Sequence, residues 1–377
     1  MPRTTLKASL ALASASVSML LVLTGCAAPA APSAATANAE SERTADQQSW
    51  DPAAWDITEL CGDEPITVAV HDGLNNTWRK TALGVLEKQI AQCPNIDSDV
   101  LYASANGNPQ QAITDINSLV AKGADVLIVL DDFGDAELPA LRAATDAGVT
   151  VIPYYGPIGG TPGADYALNV RINSYQVGVE MAQWFGKNVD GGNVAVVGDL
   201  PTSTSSADLY SGVKDGLADY PDLTLVGDSF LVGNYDPQTI NKVVTGAIQR
   251  YGDITAIATQ GFAQMYVQPF IDAGVELPAV AAVSGFNISY CQYDDMPAAQ
   301  KYPLATWEKT TQVIAAALRH GLAERNGIEW DEPTAIAVPK SYDTFAGVTD
   351  ITCDPSLPAD ADLTSDLTPE ELAAALE

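Results

Sequence analysis

The sequence predicts an α/β protein built from two doubly wound lobes. Three observations carry that prediction. Short, near-continuous apolar runs recur along the chain, the mark of strands buried on both faces of a parallel sheet. Segments with helical spacing separate them. The units are too many for one open sheet of typical size, so two sheets are expected.

In the first series, Ile66–His71 is a β-rich run and Thr77–Gln92 has helical spacing. Val100–Tyr102 is a short extended piece, Pro109–Lys122 is helical, and Asp125–Leu130 is a continuous apolar strand. Ala136–Ala147 is a helix ended by Gly148, and Val149–Pro153 is a strand. The second series begins with a helix from Ser174 to Asn188 and the strand Asn193–Val197. Helix Ser206–Tyr220, strand Leu223–Leu231, helix Pro237–Tyr251 and strand Ile254–Ala258 follow. Helix Ala263–Ala273 and strand Ala279–Val283 come next. Strand Pro303–Trp307, helix Lys309–Asn326 and strand Pro333–Val338 complete the pattern. The last stretch, 354–377, reads as an acidic peripheral tail, in which Thr368-Pro369-Glu370-Glu371 has the form of a helix start.

Composition narrows the function. The 377 residues suffice for two domains, and 47% hydrophobic content suits a sizeable core. A formal net charge of -30 repels nucleic acid, which excludes a DNA- or RNA-binding role. With only two histidines and no CxxC or HxxxH spacing, neither a metal site nor a cofactor is expected.

The chain starts with Arg3 and Lys7, followed by an Ala/Ser/Leu/Val-rich stretch to Leu23. That is the layout of a secretory signal peptide. It ends in Leu23-Thr24-Gly25-Cys26, which resembles the lipobox of bacterial lipoproteins. The resemblance implies removal of residues 1–25, a lipid on Cys26, and anchoring to the outer face of the cell membrane. Residues 26–60 then read as a flexible tether, rich in Ala, Pro, Ser, Thr and Asn at its start. Cys61, Cys93, Cys291 and Cys353 remain, and in an oxidising compartment they are expected to form two disulfides. Three pairings are open. The pairing that keeps each bridge inside one lobe is Cys61–Cys93 with Cys291–Cys353.

In doubly wound sheets, ligands bind outside the carboxyl ends of the strands. The loop His71-Asp72-Gly73-Leu74-Asn75-Asn76-Thr77-Trp78-Arg79 gathers carboxylate, amide, indole and guanidinium in nine residues. It contains neither GxGxxG nor GxxxxGK[ST], so it is not a phosphate loop. Further candidates are Asp132, Tyr155 and Asn173 in the first half, and Tyr235, Gln260, Asn287, Trp307 and Glu308 in the second. Taken singly, each also fits helix capping or core packing. Taken together, they describe a hydrogen-bonding, aromatic-lined cleft for a small polar molecule.

The segments ITVAVHDGLNNTW, INSLVAKGADVLIVL, TDAGVTVIPYY, GNYDPQ, ITAIATQ, AVSGFN and YPLATWEK carry a resemblance across about residues 62 to 345. In their order and spacing, the chain resembles the ribose-binding type of ABC-transporter substrate-binding proteins, the type I periplasmic binding proteins. The resemblance implies two Rossmann-like lobes joined by a three-crossover hinge. The first lobe would comprise 62–172 plus 309–338, and the second 174–306 plus 340–353. By position, Asn76, Trp78, Tyr235, Gln260 and Asn287 match ligand contacts of the family, and Trp307 and Glu308 lie near the last crossover. Two arginine clamps of the ribose binders are missing: Tyr155-Gly156 stands where they carry an Asp-Arg pair, and Ala207 or Asp208 where they carry an Arg.

The expected function is therefore a monomeric, lipid-anchored receptor that hands a sugar or polyol to an ABC-transporter permease by clamp closure. A ligand-sensing receptor of the same fold is the alternative, as is a non-sugar polar ligand. An enzyme is not expected, since no GxSxG elbow or metal motif is present.

Overall fold

The computed structural model describes residues 56–377. The signal peptide, Cys26 and the tether up to residue 55 lie outside the described residues. The end of the expected tether is not a linker: Ile57 and Leu60 are completely buried in the core.

The first lobe has a six-stranded parallel sheet of order β12-β5-β4-β3-β1-β2. Its strands are β1 (Val68–Asp72), β2 (Leu101–Ser104), β3 (Val126–Leu130), β4 (Thr150–Tyr155), β5 (Val170–Ile172) and β12 (Ala335–Ile336). Helices α1 (Thr77–Ile90), α2 (Pro109–Ala121) and α3 (Leu138–Asp146) connect them. The second lobe repeats the plan in the order β13-β11-β10-β9-β6-β7. Its strands are β6 (Gly192–Gly198), β7 (Leu223–Leu225), β8 (Leu231–Val232), β9 (Ile254–Gln260), β10 (Ala279–Val283), β11 (Leu304–Trp307) and β13 (Lys340–Asp343). Only β13 runs antiparallel to its neighbour, and β8 pairs with β6 off the main path. Its helices are α4 (Ser174–Asn188), α5 (Thr204–Gly216), α6 (Pro237–Tyr251), α7 (Gln268–Ala273) and α8 (Phe286–Asp295).

Before residue 354 the described chain passes between the lobes three times: from β5 to α4, from β11 to α9 (Val313–Asn326), and from β12 to β13. Helix α9 returns to the first sheet, where its residues 313 to 323 are all buried. A helix apolar around most of its circumference must be covered on all sides. Each sheet buries both faces. In β6, Val194 and Val196 point to α4 and α5, while Ala195 and Val197 point to α6. Helices α4 and α5 approach so closely that a Cβ on Gly212 would collide with the Tyr175 carbonyl, so only glycine fits there.

Several elements differ from expectation, among them β13, which the sequence pattern did not announce. The strand expected at Leu223–Leu231 is split into β7 and β8 around Gly227, which has φ +83°. The helix expected at Ala263–Ala273 begins as a 3-10 turn, Ala263–Tyr266. Helix α8 was not expected at all, because its sequence has little apolar periodicity; it forms by burying Asn287, Ser289, Tyr290 and Tyr293.

Both disulfides pair as read, Cys61–Cys93 and Cys291–Cys353. The stretch 354–377 is not a peripheral tail. From Cys353 it passes over α8, where Ala359 and Ala361 carbonyls accept from Ile288 and Asn287 amides. It then crosses the hinge, where Thr311 donates to the buried Asp362. It ends in α10 (Pro369–Leu376), started by a Thr368–Glu371 capping box and pinned to α1 by Lys88–Glu371 at 2.8 Å. The segment therefore straps the second lobe to the first.

Candidate functional site

Along their main paths the two sheets share one strand order, and each reverses direction beside its first strand, at β1/β3 in the first lobe and β6/β9 in the second. Ligand crevices form at such switch points. In the first lobe, that point lies between β1, which ends in Asp72, and β3, which leads to Asp131-Asp132. In the second, it lies between β6 and β9, which lead to Asp199 and Gln260. Thr204 of one lobe donates to the Pro157 carbonyl of the other at 2.9 Å, so the two edges meet.

In the first wall, Asn76 caps α1 by accepting from the Arg79 amide at 3.1 Å, which aims the helix start at the cleft. Trp78 stands edge-on to Tyr155, with centroids 5.2 Å apart, and its indole donates to Thr310 Oγ1 at 3.0 Å. Arg79 pairs with Asp132 at 2.6 Å, and the other Asp132 oxygen accepts from the Gly73 amide at 2.8 Å. Asp132 thus ties two loops together at the edge of the cleft. Its neighbour Asp131 accepts from the Gly156 amide at 3.1 Å, beside the opposite lobe. Asp72 is 1% exposed, and one of its oxygens has no hydrogen-bond partner.

In the second wall, Asp199 is the hub. It accepts from Ser206 Oγ at 2.6 Å and from the Tyr235 hydroxyl at 3.1 Å. Gln260 Nε2 reaches Ser206 Oγ at 3.3 Å. Phe262 and Phe286 stack at 4.6 Å in the next two loops.

All eight described non-glycine residues with positive φ lie at or just beyond strand carboxyl ends: Asn106, Tyr155, Asn234, Tyr235, Phe262, Ser284, Phe286 and Lys309. Left-handed backbone at bulky residues is costly and gathers at functional sites.

Several expected site residues lie elsewhere. Asn173 caps α4 by accepting from the Gln176 amide at 3.0 Å. Asn287 is 2% exposed; its amide donates to the Asp354 carbonyl at 2.7 Å and its oxygen accepts from the Asp354 amide at 2.9 Å. It holds the strap, since its side chain and its backbone amide both bond to residues 354–361. Trp307 is buried and donates to Glu180 at 2.8 Å, toward a separate pocket of about 370 Å³ between α4 and β13. Glu308 is buried in the hinge, where it accepts from the Gly285 amide at 2.8 Å and the Tyr290 hydroxyl at 2.5 Å. The cleft thus unites Asp72, Trp78, Arg79, Asp132, Tyr155, Tyr235 and Gln260, with Asn76 at its rim. Sequence reasoning did not select Asp131, Asp199, Ser206 or Thr310. The available signal was that Asp131 and Asp199 directly follow the strands flanking the two switch points.

Burial sets the protonation of the site. It pushes Asp72 up to about 7 against the pull of Arg79, and Asp131 up to about 7 with help from Asp132. It likewise raises Glu308 to about 7, and Glu137, behind the Asp131-Asp132 loop, to about 9. Each carboxyl holds its proton more tightly folded than unfolded, so stability falls as pH rises from the ordinary carboxylate range through these values. His71 and His320 are shifted down by burial, and their contribution is lost only as pH falls below about 6.5. The unliganded protein should therefore melt at a lower temperature at pH 8.5 than at pH 6.5. An equal or higher melting temperature at pH 8.5 would contradict these assignments.

A family model described as periplasmic binding protein domain matches residues 66–289. The chain belongs to this family. The D-xylose-binding periplasmic protein of Escherichia coli (strain K12) is 23% identical over 186 residues, 48% of this chain and 54% of that protein. The chain thus matches about half the length of this relative. A solute binding protein of an ABC transporter from Agrobacterium vitis, solved with alpha-D-tagatopyranose, superposes with a TM-score of 0.64. It is 16% identical, with 79% of this chain and 99% of that chain covered. The fructose binding periplasmic domain of a hybrid two component system superposes with a TM-score of 0.58 at 15% identity, covering 74% and 91% of the two chains. At these identities the superpositions establish the fold, type I periplasmic binding protein.

Proposed function

We propose that this chain is an extracytoplasmic receptor that captures a sugar or polyol and delivers it to an ABC-transporter permease. The observation that carries the reading is the pair of facing switch points, lined by carboxylates, an amide and aromatic rings. Aromatic faces stack on sugar C–H faces, while carboxylates and amides accept and donate to hydroxyls. Family membership and the sugar-binding relatives support it. Ligand engages one lobe, and contacts from the other favour the closed clamp by no more than the difference in affinity between the two states. The moving bodies are 62–172 plus 309–338 and 174–306 plus 340–353. A lipid on Cys26 would hold the monomeric receptor at the membrane, and binding without chemistry is its task. The two-component neighbour favours one second reading, a sensory receptor of the same fold.

A melting screen of the purified protein against pentoses, hexoses, polyols, disaccharides, amino acids and nucleosides tests this. A ligand selective for the folded state raises the melting temperature by mass action. A shift with a sugar or polyol supports the proposal; a shift only with amino acids or nucleosides overturns the sugar assignment. Tyr235 is 46% exposed, so Tyr235→Ala should weaken binding about tenfold or more with the unliganded melting temperature nearly unchanged. Trp78 is 8% exposed, so Trp78→Ala should also cost about 3 kcal/mol of stability. Unchanged affinity in both variants would place the ligand elsewhere.

A further inference from the structure

We propose that the ligand carries a positively charged amine, as an amino sugar or amino polyol does, and that the ammonium sits between Asp131 and Asp199. The inference rests on the reading of the cleft as a clamp for sugars or polyols and narrows it.

The charge balance of the cleft is the starting point. It holds Asp72, Asp131, Asp132 and Asp199. Arg79 is its nearby cation, and the Arg79 guanidinium is already paired with Asp132 at 2.6 Å. Arg171, beside Tyr155 in the sheet, has Asp208 of the opposite lobe as its opposing charge. Asp131 and Asp199 hydrogen-bond only neutral donors: the Gly156 amide for the first, the Ser206 and Tyr235 hydroxyls for the second. Each comes from a different lobe, and they repel across the closed cleft.

A buried carboxylate without a cation is costly. Asp131 and Asp199 are both half-buried, and closing two lobes that each bring one such carboxylate raises that cost, unless the ligand supplies the charge. The surroundings suit a cation as well. Tyr155 lies in the fields of both Asp199 and Asp131, and Tyr235 in that of Asp199. Aromatic faces beside carboxylates attract an ammonium through the ring quadrupole. The Asp72 oxygen and the Tyr154 hydroxyl, both buried without a partner, leave acceptors for the remaining ligand donors. A metal ion is a poorer occupant: no group of three His, Cys, Asp or Glu has metal-holding geometry among the described residues. Anionic ligands would meet the same two carboxylates with the wrong sign.

The test is calorimetric titration at pH 7 with three matched sets: D-glucose, D-galactose and D-mannose, their 2-amino forms, and their N-acetylated forms. At least one amino form should bind ten times more tightly than its neutral parent and its acetylated form, with the advantage shrinking in high salt. Binding should also release protons, because an ammonium beside Asp131 drives off its proton, so the heat should differ between phosphate and Tris buffers. Asp131→Asn and Asp199→Asn are isosteric, and either should abolish the preference; melting curves of both check that they fold. A neutral parent that binds as tightly as its amino form overturns the amine and leaves the sugar clamp standing. Binding by none of the nine compounds, with binding of an amino acid or nucleoside, overturns both.

Discussion

Replacing Glu332 by Ala should destabilise the protein by about 3–5 kcal/mol. The partner is Arg319, which is 1% exposed and lies in the middle of the buried helix α9. Arg319 Nε donates to Glu332 at 2.6 Å, and Nη2 donates to the other carboxylate oxygen. Its remaining nitrogen reaches Gln89 at 3.4 Å, and the Trp330 indole donates to Glu332 at 3.0 Å. The pair ties α9 to the segment that leads into β12 and the last crossover. Removing one member leaves a guanidinium stranded in an apolar helix. Replacing both, as in Arg319→Met with Glu332→Leu, removes the stranded charge and should recover most of the loss. Urea unfolding of the two variants measures this. A loss under about 1 kcal/mol in the single variant would mean that water reaches Arg319 and the pair is not truly buried.

That ion pair was not legible in the sequence, and the reason is general to this chain. Strands such as Asp125–Leu130 and Ala279–Val283 announce themselves, because burial on both faces demands unbroken apolar runs. The alternation fixes two sheets and therefore the edge at which a ligand binds. Trp78 and Tyr235 could be read as cleft residues from the loops that hold them. What could not be read is which polar residues the fold uses for itself. Asn287 has the composition of a ligand residue, yet the strap occupies both ends of its amide. Asp132 and Asp131 are neighbours of one type; only the position of Gly73 and Gly156 decides which is tied to a loop and which faces the other lobe. These outcomes depend on partners 59, 25 and 67 residues away in sequence, beyond the reach of local pattern.

The residue that permits closure is Gly156, and Gly156→Val should lower ligand affinity about a hundredfold. A Cβ there would lie 2.8 Å from Asp131 Oδ2 and 3.1 Å from Ser205 Oγ. The first contact is within its own lobe and is relieved by turning a carboxylate. The second is with the opposite lobe, so it exists only when the clamp is shut. A valine adds two methyl groups at this junction, and each pushes the lobes apart. The change therefore acts on the closed state and spares the open one. A shift of the open–closed balance against closure reduces apparent affinity by the same factor as the competent fraction falls, and a hundredfold corresponds to about 2.7 kcal/mol. The unliganded melting temperature should change little, since neither lobe's core is touched. Enlarging the gap from the other side, with Ser205→Gly, should restore part of the affinity of Gly156→Val, because the two changes share one contact. Titration of the sugar found by the melting screen against the wild type, both single variants and the double variant measures this. An affinity within twofold of wild type in Gly156→Val would show that the liganded lobes do not meet at this glycine, and that the closed geometry brings together a different pair of edges.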